Sequence, residues 1–212
     1  SLRERQNFIS LLYYFGLLSH SPEGPKMLGI PNLCMRSMMY SYFERGLKDT
    51  QVFTLDHYEI EQQLRLMLLE GKWRGFFEYV AKEIKKQTKI RDFLDAEKAV
   101  QTFLVVYMNM TQHFVTHSEY ECNKGFVDIL LQPFLHRYPQ GKFSYLIECK
   151  YLRKKDATPL KKNQVLDEAK VQLQGYVQDS KLQQCLQGST IIALRVLFVG
   201  WELKVFEQVE LF

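Results

Sequence analysis

The chain has 212 residues, 46% of them hydrophobic, 14% aromatic and 25% charged. That balance excludes a disordered chain and supplies one substantial core or two small ones. A formal net charge of +4 allows a polyanionic partner without requiring one. The longest apolar runs, ISLLYYFGLL and TIIAL, are too short to cross a bilayer, so no membrane association is expected.

Four cysteines, Cys34, Cys122, Cys149 and Cys185, are scattered with no CxxC spacing and no histidine at zinc-finger distance. They read as reduced thiols of an intracellular, cytoplasmic protein, with secretion as an effector left open. The chain opens at Ser1 on a helical pattern without Met, and reads as a piece of a longer protein.

Residues 1–92 read as a helical N-terminal region, with a winged-helix-like adaptor as one interpretation. FISLLYYFGLLSH has a broad apolar face, and an extended piece, KMLGIPN, follows it. Asn32 is placed to cap a helix carrying Met35, Met38, Met39, Tyr42 and Phe43 at helical spacing, the usual pattern of core-filling methionines. Asp56 and Glu59 have capping-box spacing for a helix through Ile60, Leu64, Met67 and Leu68 that stops at Gly71. WRGFFEYVAKEIKKQTKIR repeats the apolar stripe, with Lys82, Lys85, Lys86 and Lys89 mostly on a solvated face.

Residues 93–212 change style and read as an α/β core. DAEKAVQTFLVVYMNMTQ is helical, and HFVTHSEYEC, GFVDILLQPF and FSYLIECKYL are extended. A polar linker, RKKDATPLKKN, precedes a helix, NQVLDEAKVQLQGYVQDSKLQQ. Two strands, TIIALRVLFVG and WELKVFEQVEL, close the chain as a hairpin around Gly200. This order predicts one mixed central sheet flanked by helices.

Within these apolar strands stand Asp128, Glu148 and Lys150. Buried charges cost on the order of several kcal/mol each unless paired or liganded, so their presence asks for a reason. Alternation puts Glu148 and Lys150 on one face of their strand. The joining segment HRYPQGK is turn chemistry, so the two strands pair antiparallel and bring Asp128 near Glu148. Two carboxylates beside an amine suit Mg²⁺ and the holding of an attacking water. Glu97, at the start of the preceding helix, and Gln172, on the stripe of Val165, Ala169 and Tyr176, are placed to complete the set. A Glu-x-Lys triplet alone arises often by chance, and a Gln on such a stripe is commonly structural.

The order of these residues resembles the PD-(D/E)xK nuclease superfamily, whose core is a helix, a three-stranded meander, a helix and a further strand. Glu97, Asp128, Glu148 and Lys150 match its acid, lone Asp and (D/E)xK pattern, with Val127 where Pro often precedes the Asp. More narrowly, LLYYFGLL, LGIPNLCMRSMMYSYF, SEYECNKGFVDILL, YLIECKY and EAKVQLQGY resemble the group found C-terminal to AAA-ATPase-like domains. Related modules occur in toxins of the cytoplasmic-incompatibility type. Phe126 departs from that group, which often carries Arg there.

The resemblance implies a restriction-endonuclease-like fold and a Mg²⁺- or Mn²⁺-dependent deoxyribonuclease. It implies Asp128, Glu148, the Cys149 carbonyl and Glu97 as metal ligands, Lys150 as the group acting on water, and Gln172 as a positioning residue. Arg153, Lys154, Lys155, Lys161 and Lys162 are read either as a grip on the DNA backbone or as a solvated linker. Implied partners are DNA and an AAA-ATPase-like domain or an inhibitor of antitoxin type. The rival expectation is a nuclease-fold module that binds a partner or nucleic acid without cutting. A Cys149 nucleophile is disfavoured, because Cys149 points away from the carboxylates and His113, His117 and His136 form no matching pattern.

Overall fold

The computed structural model describes residues 5–21, 24–32, 56–86, 96–123 and 125–211, with single helical residues at 34, 35, 38, 39 and 42. The expectations for Phe43 and Lys89 and for the side chain of Glu97 lie outside the described residues. Two compact units divide the chain, residues 1–50 and 51–212.

In the first unit, α1 (Arg5–Tyr14) precedes a hairpin of β1 (Ser19–Ser21) and β2 (Gly24–Gly29), with His20 opposite Leu28. The extended piece of the sequence is thus the second strand of this hairpin and its sequel. Asn32 Oδ1 accepts from the Met35 N–H at 2.9 Å, the cap its position suggested.

In the second unit, α2 (His57–Glu70) and α3 (Arg74–Lys86) come first. Asp56 caps α2 by accepting from Glu59 N, but Glu59 turns to Gln63 rather than completing a capping box. Gly71 ends α2 at φ 69, a left-handed conformation that disfavours a side chain, with the Phe143 ring 3.0 Å from where a Cβ would stand. The helix α4 (Ala96–Asn109) leads into five strands: β3 (Phe114–Cys122), β4 (Gly125–Pro133), β5 (Phe143–Leu152), β6 (Thr190–Val199) and β7 (Glu202–Gln208). They form one sheet in chain order, antiparallel except for the parallel pair β5–β6.

A parallel neighbour needs a crossover, and α5 (Pro159–Val177) with the short α6 (Ser180–Cys185) supplies it. The linker expected to run to Asn163 is shorter than that. Its Thr158 caps α5 by accepting from Lys161 N, and Pro159 sits at the first turn, where its missing N–H costs nothing. The single helix expected after it breaks at Asp179, whose carboxylate accepts from Lys181 N and Leu182 N and starts α6. Gly200, at φ 58, makes the β6–β7 turn.

The sheet separates two cores. On one face Leu173, Tyr176 and Val177 of α5 pack on Leu130, Leu146 and Ala193. On the other, the Tyr145 hydroxyl donates to the Met67 carbonyl of α2 at 2.8 Å, and Phe206 of β7 stacks on Phe77 of α3. The face under α5 is the one that carries Glu148 and Lys150.

Candidate active site

The β4–β5 ladder pairs Leu131 with Tyr145, Leu130 with Leu146 and Ile129 with Ile147, and it ends there. One step on, Asp128 and Glu148 stand where the two strands part. The Cys149 N–H, which a longer ladder would have used, donates to Asp128 Oδ2 at 2.8 Å. The N–H and C=O of a strand residue leave the backbone toward the same edge, so the Cys149 carbonyl also faces this gap.

The other edge of β4 is irregular at the same level. Ser118 pairs with Ile129 and Tyr120 with Val127, but Glu119, between them and facing Asp128, adopts φ 52. A non-glycine residue held there costs roughly 1–2 kcal/mol. Val127 and Leu130, an odd number of positions apart, both pack beneath α5, so the alternation of β4 slips between them. The slip falls on Asp128 and lets its carboxylate reach across the sheet plane toward β5, a familiar use of strand irregularity.

Glu148 is only 2% exposed, and its Oε2 has no hydrogen-bond partner among the described residues. Its Oε1 accepts from Lys150 Nζ at 2.9 Å, and the same ammonium donates to Gln172 Oε1 at 2.7 Å. Burial first, and the Asp128 charge second, push the Glu148 carboxyl up to about 7 against the opposing pull of Lys150. Gln172 itself is exposed, at the margin of the buried stripe of Val165, Ala169 and Tyr176, with its amide turned to Lys150. The half-buried Cys149 thiol is held well above its ordinary range, by burial and then by Asp128 and Glu148. That is the opposite of an activated nucleophile.

Asp128, Glu148, Lys150 and Gln172 therefore meet. Glu97 lies in the first turn of α4. The basic loop is engaged locally: Arg153 Nε pairs with Asp156 at 2.7 Å, Lys154 approaches Glu202 at 3.9 Å, and Lys161 donates to Gln164 at 3.1 Å. Lys155 is exposed and Lys162 half-buried.

A further charged neighbour stands beside the site. Arg195 of β6 is the register partner of Glu148 and holds Glu207 Oε2 at 2.8 Å and the Leu166 carbonyl of α5 at 3.2 Å, tying α5 to the sheet beside the site. A lone Arg inside TIIALRVLFV was the available signal, of the same kind as the Glu inside YLIECKY.

Among the described residues, no three His, Cys, Asp or Glu side chains converge as a metal cage. Two carboxylates and a carbonyl nonetheless suit Mg²⁺, which keeps several waters and takes few protein ligands. The partnerless buried oxygen of Glu148, beside a second carboxylate, fits a hard cation.

A mixed sheet with a helical crossover, and Asp, Glu and Lys gathered where two strands part, defines a nuclease-type α/β core. The model of the PD-(D/E)XK nuclease superfamily matches residues 95–208, and the chain belongs to that superfamily with a restriction-endonuclease-like fold. No curated protein and no solved structure gives a significant match. No helix among the described residues is long and apolar enough to cross a membrane.

Proposed function

We propose that the protein is a metal-dependent nuclease hydrolysing phosphodiester bonds of DNA. One observation carries the reading: Lys150 bridges Glu148 and Gln172 while Asp128 stands at the parting of β4 and β5, all next to the Cys149 backbone. In this reading Asp128, Glu148 and the Cys149 carbonyl hold Mg²⁺ or Mn²⁺, with Glu97 contributing from α4. When bound, the cation supplies Lewis-acid polarisation of the scissile phosphate.

The chain's own groups do the rest. As an ammonium, Lys150 orients the attacking water and offsets the charge gathering on the phosphoryl oxygens, while the water's proton passes through solvent to the leaving sugar oxygen as the old P–O bond breaks. Gln172 fixes the lysine by accepting from it. Arg153, Lys154, Lys155, Lys161 and Lys162 follow the active strand and exchange their local partners for backbone phosphates. A second protein, an AAA-ATPase-like domain or an inhibitor, belongs to the proposal on the strength of the sequence resemblance alone.

The alternative, a nuclease fold that binds without cutting, draws on the pairing of Arg153 with Asp156 and of Lys154 with Glu202, which occupies part of the basic loop. A direct assay separates the two readings. Plasmid and single-stranded DNA are incubated with the protein in Mg²⁺, in Mn²⁺ and in EDTA. Cleavage with either metal that disappears in EDTA is the expected result. Binding with no cleavage under any condition supports the alternative.

A further inference from the structure

The surroundings of the site select the form of its substrate, an inference that rests on the nuclease reading for where the phosphate sits. The carboxylates lie in a recess: Glu148 is 2% exposed, and the Lys150 side chain 21%. Beside it runs an open groove of about 680 Å³ lined by Lys150, Gln164, Asp167, Glu168, Val171 and Gln172. Among the described residues of that lining Lys150 is the one cation, and Asp167 and Glu168 are carboxylates. A second polyphosphate strand laid along this groove meets like charge, whereas Gln, Asp and Glu side chains match the edges of unpaired bases.

On the other flank, Phe126 precedes Asp128 by two residues on β4, a separation of about 7 Å. Its side chain is 58% exposed. Its position is fixed from behind, because the Tyr176 hydroxyl of α5 donates to the Phe126 carbonyl at 2.8 Å. Because Val127 packs beneath α5, the Phe126 ring lies on the other face of β4. Exposed on a rigid strand within about one nucleotide's span of the parting of β4 and β5, it can serve as a stacking platform. Bases inside a duplex have their faces covered by neighbouring bases and cannot use it.

We infer that the site takes single-stranded nucleic acid, or the splayed strand of an opened duplex, with Phe126 stacking the base next to the scissile phosphate. In this role Phe126 determines specificity and takes no part in the chemistry.

The test uses the whole chain, a single-stranded oligonucleotide and its blunt duplex, with two readouts: cleavage rates in Mg²⁺ and fluorescence-anisotropy binding in EDTA. The single strand is expected to be bound and cut at least tenfold better than the duplex. Phe126→Ala raises KM and Kd for the single strand about tenfold or more at nearly unchanged kcat, and Phe126→Tyr restores both. Equal use of duplex and single strand, or a Phe126→Ala variant indistinguishable from wild type, overturns the inference while any metal-dependent cutting preserves the nuclease reading. Single-strand binding that depends on Phe126, with no cutting in any metal, does the reverse. Neither binding nor cutting overturns both.

Discussion

Replacing Lys150 by Ala is expected to lower metal-dependent DNA cleavage by about a thousandfold, the range seen when one preorganised charge-stabilising group is removed. The ammonium lies 2.9 Å from Glu148 and 2.7 Å from Gln172, so its place is fixed before substrate arrives. Lys150→Arg should not rescue, since the planar guanidinium needs more room than a compact ammonium and holds its donors in a rigid fork. The fold should survive, because the Lys150 side chain reaches solvent and the core under α5 is built from Leu130, Leu146, Leu173 and Ala193. Initial rates on plasmid, read beside circular dichroism melts, check both halves. Activity within tenfold of wild type would remove Lys150 from the chemistry.

Glu148→Gln should produce the second large effect, with opposite signs for stability and activity. The carboxyl is raised from its ordinary 4.5 to about 7 in the folded protein. The folded state therefore keeps a proton that the unfolded chain has released, and stability falls as pH rises from 4.5 to about 7. A rise of that size corresponds to roughly 3 kcal/mol, present in full above the folded value and absent below the unfolded one. In EDTA, Glu148→Gln should be more stable than wild type by roughly that amount at about pH 8 and nearly equal to it at about pH 4. Cleavage by the same variant should fall by about two to three orders of magnitude, because an amide is a poor ligand for a hard cation. Denaturant melts at the two pH values check the first half. A variant less stable than wild type at the higher pH would mean that the Glu148–Lys150 pair holds the fold together and is not an acid kept at a cost for function.

Much of this arrangement was legible before any coordinates. Alternation along SYLIECKY put Glu148 and Lys150 on one face, and the Pro139-Gln140-Gly141 turn chemistry made the two strands antiparallel neighbours, which together bring in Asp128. Gln172 reads as a polar residue on the stripe of Val165, Ala169 and Tyr176, and the structure puts it exposed at the margin of that stripe. These are short-range signals with a fixed period. What escaped depends on long-range partners or on backbone conformation. Nothing in SEYEC says that Glu119 will take a left-handed conformation, so the slip that aims Asp128 at β5 was invisible. The basic loop reads either as a grip on the DNA backbone or as a solvated linker, and whether Arg153 meets Asp156, or Lys154 meets Glu202, is settled by the local turn and by β7. Arg195 became part of the site's surroundings only when the parallel register set it beside Glu148. The polar residues of RKKDATPLKKN look like loop, but the pair Thr158 and Pro159 within it starts a helix, and the segment's second half forms the first turn of α5.

The central claim is that Asp128 and Glu148 share a divalent cation beside Lys150. Anomalous diffraction from crystals soaked in Mn²⁺ tests it most directly. One strong peak is expected within bonding distance of both carboxylates and the Cys149 carbonyl, missing from Glu148→Gln crystals soaked in the same way. A protein saturated with Mn²⁺ that shows its peaks only elsewhere, or the same peak with and without the Glu148 carboxylate, would contradict it.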